Sequence, residues 1–172
     1  MIRIATVDDA DQLDLLNTEF NGQGNTSIDC IRDSILNNKQ EVIIVAQENE
    51  VLAGLVCVQL KKSFCYDEYM PEITEVYVRP EYRKQGIASA MITYAEKYCK
   101  EHYALHKFEL LTGKNNTIAQ SVYNNLGYID DNVIHLSKII KKRPDRKDPA
   151  FSTAQVFRKE EHVLIGSAQV SF

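Results

Sequence analysis

With 172 residues and a formal net charge of −4, the chain has room for one real core but not for two comfortable domains. Its 44% hydrophobic and 26% charged content are ordinary for a globular protein. No apolar run approaches the roughly 20 residues needed to span a bilayer, and residues 1–9 carry no apolar signal core, so no membrane partner is expected and the cytoplasm is the expected compartment.

In chain order, Ile2-Arg3-Ile4-Ala5 reads as a short strand, and Asp8 or Asp9 caps a helix carrying Ala10, Leu13, Leu16 and Phe20. Asn21-Gly22-Gln23-Gly24-Asn25 is a flexible loop. A second helix follows with Ile28, Ile31, Ile35 and Leu36 on one side. Residues 42–46 form a buried strand, Glu48-Asn49-Glu50 a turn, and residues 51–61 the hairpin partner. Residues 73–79 alternate apolar and polar types and are rich in β-branched and aromatic side chains, as a half-buried strand should be. A helix over 86–101, a strand over 107–111, a helix over 116–126 and a strand over 133–140 complete the series. Strands early and βαβα later predict an α/β fold: a mixed sheet with helices on both faces.

The four cysteines, Cys30, Cys57, Cys65 and Cys99, show neither C-x-x-C spacing nor clustering with the four histidines. No structural zinc, no other metal and no disulfide framework are expected. Cys57, inside Leu55-Val56-Cys57-Val58, and Cys99, late in a helix, read as small packing residues.

The join between the strand at 73–79 and the helix after it carries the most information. Arg83-Lys84-Gln85-Gly86-Ile87-Ala88 opens that helix. A helix start exposes unpaired backbone N–H groups and the positive end of the dipole, which suits a phosphate. Gly86 lacks the Cβ that would hold a ligand away from the backbone. The charges of Arg83 and Lys84 either add to such a site or are solvated. The turn is neither G-x-G-x-x-G nor a P-loop ending in G-K-[ST].

Downstream comes a second pattern, Asn115-Asn116-x-x-Ala119-x-x-x-Tyr123-x-x-Leu126-Gly127-Tyr128. The two motifs in this order resemble the GNAT family of acyl-CoA-dependent N-acyltransferases. The family's pyrophosphate loop, [QR]-x-x-G-x-[GA], matches at Arg83, Gly86 and Ala88. Its N-x-x-A-x-x-x-Y-x-x-x-G-[FY] run matches at Asn115 or Asn116, Ala119, Tyr123, Gly127 and Tyr128. The resemblance spans roughly residues 1–140. It implies a mixed, mostly antiparallel central sheet splayed between its fourth and fifth strands, with acetyl-CoA as co-substrate. The pantetheine arm would run along backbone near Val76, Tyr77 and Val78. The pyrophosphate would sit on the amides of Arg83, Lys84, Gln85, Gly86, Ile87 and Ala88.

The resemblance also implies catalytic roles. Tyr123 would act as general acid toward the leaving thiolate; the alternative is a buried helix aromatic with a satisfied hydroxyl. Glu75, which shares a face of the strand with Ile73 and Tyr77, would take the proton from the substrate amine, or is simply a surface or hydrogen-bonded glutamate at the crevice edge. Asn115 or Asn116 caps the following helix and is a further candidate cofactor contact. Asp67, Glu68 and Glu72 precede the strand and, with the net negative charge, favour a cationic acceptor. The expected activity is transfer of an acetyl group to a primary amine of a small molecule or peptide. The alternative is an acyl-CoA-binding sensor that has lost turnover.

The segment Lys141-Lys142-Arg143-Pro144-Asp145-Arg146-Lys147 is basic, but it is short and lies in a net acidic chain, so it reads as a solvated linker and no nucleic-acid partner is expected. Residues 154–157 and 162–166 look strand-like and would form an extra hairpin or pair with another subunit as a homodimer. The expected division is therefore a GNAT domain over 1–142 and an extension over 143–172.

Overall fold

The computed structural model describes residues 1–24, 26–138 and 170–171. Among them five strands lie side by side in chain order: β1 (Ile2–Ile4), β2 (Glu41–Glu48), β3 (Val51–Lys61), β4 (Met70–Val78) and β5 (Glu109–Leu110). The first four are antiparallel, and β5 joins β4 in parallel. A sixth strand, β6 (Val170–Ser171), also pairs with β4 in parallel. Local chemistry explains the long hairpin of β2 and β3. Both are dominated by apolar residues, many of them β-branched, and their turn places Asn49 at φ 47° and Glu50 at φ 69°. Two consecutive left-handed residues match the twist of a two-residue hairpin.

Among the described residues four α-helices cover the sheet: α1 (Ala10–Asn21), α2 (Ile28–Asn37), α3 (Ile87–His102) and α4 (Thr117–Asn125). One core layer joins Val42, Ile44, Val56, Val58, Ile73, Val76 and Val78 to Met91, Ile92, Ala95 and Cys99 of α3 and to Ala119 and Tyr123 of α4. The other joins Val45, Leu52, Leu55 and Tyr77 to Leu13 and Leu16 of α1, with Ile31 and Ile35 of α2 packed against it. Cys99 is fully buried, and burial raises its thiol pKa to about 11, in line with a packing role. The expected mixed sheet with helices on both faces is what forms.

A buried charge pair fixes the start of the chain. Residues 7–9 make a short 3-10 turn ahead of α1. Asp9, 5% exposed, accepts two hydrogen bonds from the Arg3 guanidinium at 2.6 and 2.7 Å and one from the Thr6 amide at 2.7 Å. These donors, the Arg3 bonds first, hold the Asp9 carboxyl below the usual range against the opposing effect of burial. The same arginine reaches Gln47 of β2 at 2.9 Å, so one cluster ties β1, β2 and the entry to α1 together.

One expectation changes. Residues 133–138 form no strand: Val133, Ile134 and Leu136 are 71%, 84% and 86% exposed, and residues 139–140 lie outside the described part. Strand propensity without an edge to pair on does not make a strand, and β5, two residues long, offers little edge. The basic run at 141–147, the strand-like runs at 154–157 and 162–166, and the proposed domain boundary near 142 also fall outside the described residues.

Asp9→Asn should lower stability by about 2 kcal/mol at neutral pH, since it removes a largely buried charge pair whose arginine is partly exposed. Because the folded-state pKa of Asp9 is depressed, its contribution is present above the ordinary aspartate pKa and is lost as pH falls through the lower folded value. Thermal melts of the two proteins should therefore differ at pH 7 and converge at strongly acidic pH; a constant gap would contradict this.

Candidate active site

The site is organised by an irregularity in β4. Its register with β3 runs Gly54↔Val78 to Cys57↔Glu75, then resumes at Val58↔Ile73, so Thr74 is an extra residue in β4. Such a bulge reverses side-chain alternation. Ile73 faces the α3 layer together with Val76 and Val78, whereas Tyr77 packs on the α1 side and Glu75 opens onto a cavity there. The expectation that Glu75 shares a face with Ile73 is thus corrected: strict alternation does not survive Thr74.

The same point is where β5 stops. Pairing between β4 and β5 covers only Glu72↔Glu109 and Ile73↔Leu110. Past Ile73 the two strands part, and the edge of β4 from Thr74 to Val78 is free of β5. Val76 and Val78 are buried on the α3 side and Tyr77 on the α1 side, so backbone is what all three offer at this edge. The Tyr77 hydroxyl donates to Glu19 of α1 at 3.2 Å, and Arg79 makes an ion pair with the same carboxylate at 3.0 Å, which anchors α1 over the end of the strand.

The turn after β4 has the geometry expected of an anion site. Lys84 lies at φ 60° and Gly86 at φ 77°, the latter as the N-cap of α3, and nothing lies within 4 Å of where a Gly86 Cβ would sit. The first helical hydrogen bond runs from the Ala90 amide to the Gly86 carbonyl at 3.0 Å, so the amides of Ile87, Ala88 and Ser89 have no acceptor within the helix. Lys84, Gln85 and Gly86 are exposed, Ile87 is half-buried and Ala88 is buried in the core. The Arg83 side chain ties the turn to the strand before it. Its Nε donates to the Val78 carbonyl at 2.8 Å and its guanidinium lies 5.9 Å from the centre of the Tyr77 ring, clamping the turn to the end of β4.

The second motif resolves into helix chemistry. Asn116 caps α4 by accepting from the Ala119 amide at 3.2 Å; Asn115, the other candidate, is exposed. At the far end the Gly127 amide bonds the Asn124 carbonyl and the Tyr128 amide bonds the Tyr123 carbonyl, both at 3.0 Å, with Gly127 at φ 92°. That is the Schellman cap, and it explains the glycine at this spacing. Tyr128 packs edge-on to Tyr123 at 5.9 Å and donates to Glu96 at 2.8 Å. Tyr123 is 2% exposed, and among the described residues its hydroxyl has no hydrogen-bond partner. Burial pushes its pKa well up, so it stays protonated and able to donate.

A family model described as Acetyltransferase (GNAT) family matches residues 10–128. The chain belongs to the GNAT acetyltransferase family. This GNAT chain is accordingly an acyltransferase, of a family that uses acetyl-CoA. Its fold is shared with an aminoglycoside acetyltransferase from an uncultured soil metagenomic sample, at 18% identity over 82% of this chain and 96% of that one, with a TM-score of 0.71. It is also shared with the aminoglycoside N-acetyltransferase AAC(6')-Iy in complex with CoA, at 18% identity over 81% and 100% with a TM-score of 0.67. A third neighbour, described as a transcriptional regulator from Bacillus halodurans C-125, is 24% identical over 81% and 99% with a TM-score of 0.68. No curated protein matches the chain.

In this GNAT chain Glu75 lies on the α1–α2 face of the sheet, and Tyr123 in the core layer on the α3 face. Glu75 lines a cavity of about 300 Å³ between the sheet and α1 and α2, walled by Leu13, Phe20, Ile31, Ile43, Leu55 and Cys57. Thr74 donates a short hydrogen bond to the Glu75 carboxylate. Burial above all, with the nearby charges of Glu41 and Glu72, raises the Glu75 pKa against that bond. Of the acidic residues upstream of Glu75, Glu72 pairs with Lys61 at 3.2 Å and Glu68 lies 3.9 Å from His106.

The second carboxylate in the cavity is Glu41, which sequence reasoning missed. It accepts from Ser34 and Gln59 at 3.0 Å each, and among the described residues no cation pairs with it or with Glu75. Its signal was the register Glu41↔Gln59, Ile43↔Cys57 and Cys57↔Glu75, which puts these residues on one face but is legible only once the strands are paired.

The carboxyl of Glu75, followed by carbon-detected NMR, should titrate above the ordinary glutamate range and fall toward it in Glu41→Gln, which removes a like charge. An unchanged midpoint would show that Glu41 does not act on Glu75.

Proposed function

We propose that this chain transfers an acetyl group from acetyl-CoA to a primary amine by direct attack, with a cationic small molecule or peptide as acceptor. The observation that carries the reading is the Tyr123 hydroxyl: buried, protonated and without a partner among the described residues. A buried polar group left unsatisfied costs about 1–3 kcal/mol, so a fold keeps one where a ligand completes it. Acetyl-CoA supplies a thioester carbonyl and a sulfur leaving group. The Arg83 amide is taken by the Pro80 carbonyl at 3.3 Å, so the amides of residues 84–88 and the dipole of α3 bind the pyrophosphate. The backbone of Val76, Tyr77 and Val78 orients the pantetheine arm, with Asn116 and Asn115 at the neighbouring helix start.

The acceptor enters the cavity between α1, α2 and the sheet. An amine arrives mostly as ammonium and must lose a proton before it can attack; Glu75, with its raised pKa, takes that proton. Tyr123, on the other face of the sheet, donates to the departing sulfur. Glu41 and Glu75, with no cation beside them among the described residues, favour a positively charged acceptor. The neighbours described as aminoglycoside acetyltransferases support a polycationic one.

Tyr123→Phe should lower turnover on the order of 10²–10⁴-fold with acetyl-CoA affinity little changed; unaltered turnover would remove Tyr123 from the mechanism. Gly86→Glu should abolish acetyl-CoA binding in calorimetry, because it puts a bulky anion at the left-handed helix start. Retained binding would sink the phosphate assignment.

A further inference from the structure

The open edge of β4 is taken by the chain itself. β5 holds the first part of that edge, ending at Ile73↔Leu110, and β6 holds the next part through Val76↔Val170 and Tyr77↔Ser171. The opposite edge of β4 is filled by β3 as far as Val78. Each backbone N–H and C=O of a strand points to one edge or the other, so the groups at Val76 and Tyr77 that face away from β3 can serve one extended partner at a time. The stretch β6 covers is the one along which the pantetheine arm is laid above.

We propose that β6 is a built-in competitor of acyl-CoA: Val170–Ser171 adds to the edge of β4 as a strand and must leave before the pantetheine arm can use the same backbone groups. The inference rests on the assignment of that edge to the cofactor. Strand addition to a free sheet edge is a general mode of peptide recognition, carried by main-chain hydrogen bonds. Here the peptide is tethered through residues 139–169, which keeps its local concentration high whatever the protein concentration. The competition is partial in space as well as in strength. β6 pairs with Val76 and Tyr77 and not with the turn at residues 83–88, so the phosphate-binding amides stay available while the arm's track is covered. A contact of two residue pairs is weak, so it lowers the apparent affinity for the cofactor by the fraction of molecules in which the edge is free, about two- to tenfold.

The test compares the full chain with a Val170→Pro, Ser171→Pro double variant, which lacks both strand N–H groups, in calorimetric titrations. Two ligands are used: acetyl-CoA, and adenosine 3′,5′-bisphosphate, the fragment of coenzyme A without the pantetheine arm. Acetyl-CoA should bind the variant about two- to tenfold more tightly while the fragment binds both proteins equally. Equal acetyl-CoA affinity in the two proteins would overturn the proposal and leave the cofactor assignment standing. A gain for both ligands would also overturn it, since the effect would not lie along the arm's track. No acetyl-CoA binding to either protein would overturn the cofactor assignment, and the proposal with it. If the variant's advantage grows with protein concentration, the strand comes from a second copy and the intramolecular competitor is ruled out.

Discussion

Everything in the site follows from how β4 is paired. One edge is bound to β3 along nearly its whole length. The other is bound to β5 for two residues and then released. The bulge at Thr74 sits at the release point and turns the strand by one side chain, so Glu75 opens toward α1 and α2 while Ile73 and Val76 stay in the α3 core. Without the extra residue Glu75 would fall among buried apolar side chains, where an ionised carboxylate is costly. With it, the carboxylate lies in a cavity with Thr74 as donor and Glu41 as neighbour.

The open edge alone would be a liability, because unpaired strand groups recruit other strands. The fold manages it in several ways. Arg83 caps the last carbonyl, that of Val78; Glu19 ties Tyr77 and Arg79 to α1; β6 covers Val76 and Tyr77. Arg79 and Arg83 are thus engaged in holding the strand end in place, while Lys84 is exposed. What remains for an anion is mainly backbone amide and helix dipole, a contribution that does not depend on long, mobile side chains.

Much of this was legible in the chain. The helix start at Gly86 and the cap at Gly127 are local: each depends on one left-handed residue and its immediate neighbours, which a motif can encode. The hairpin of β2 and β3 was likewise written into two apolar runs and a short turn. What escaped was set by pairing between distant segments. The bulge at Thr74 exists only in the register of β4 against β3, so alternation grouped Glu75 with Ile73 as well as with Tyr77, and only Tyr77 shares its face. Glu41, 34 positions before Glu75, reaches its cavity through two successive strand registers. The run at 133–138 carries strand-like residues but has no edge to join. Arg83 matched a family position, yet its side chain serves Val78 and Tyr77.

The central claim is that one ligand spans the β4 edge and the α3 start. Two-dimensional amide NMR during titration with acetyl-CoA tests it most directly. The account predicts the largest shifts at the amides of Val76, Tyr77 and Val78 and at those of Gly86, Ile87 and Ala88, changing together with one binding curve. Shifts confined to α1 and α2, or separate curves for the edge and the turn, would contradict it.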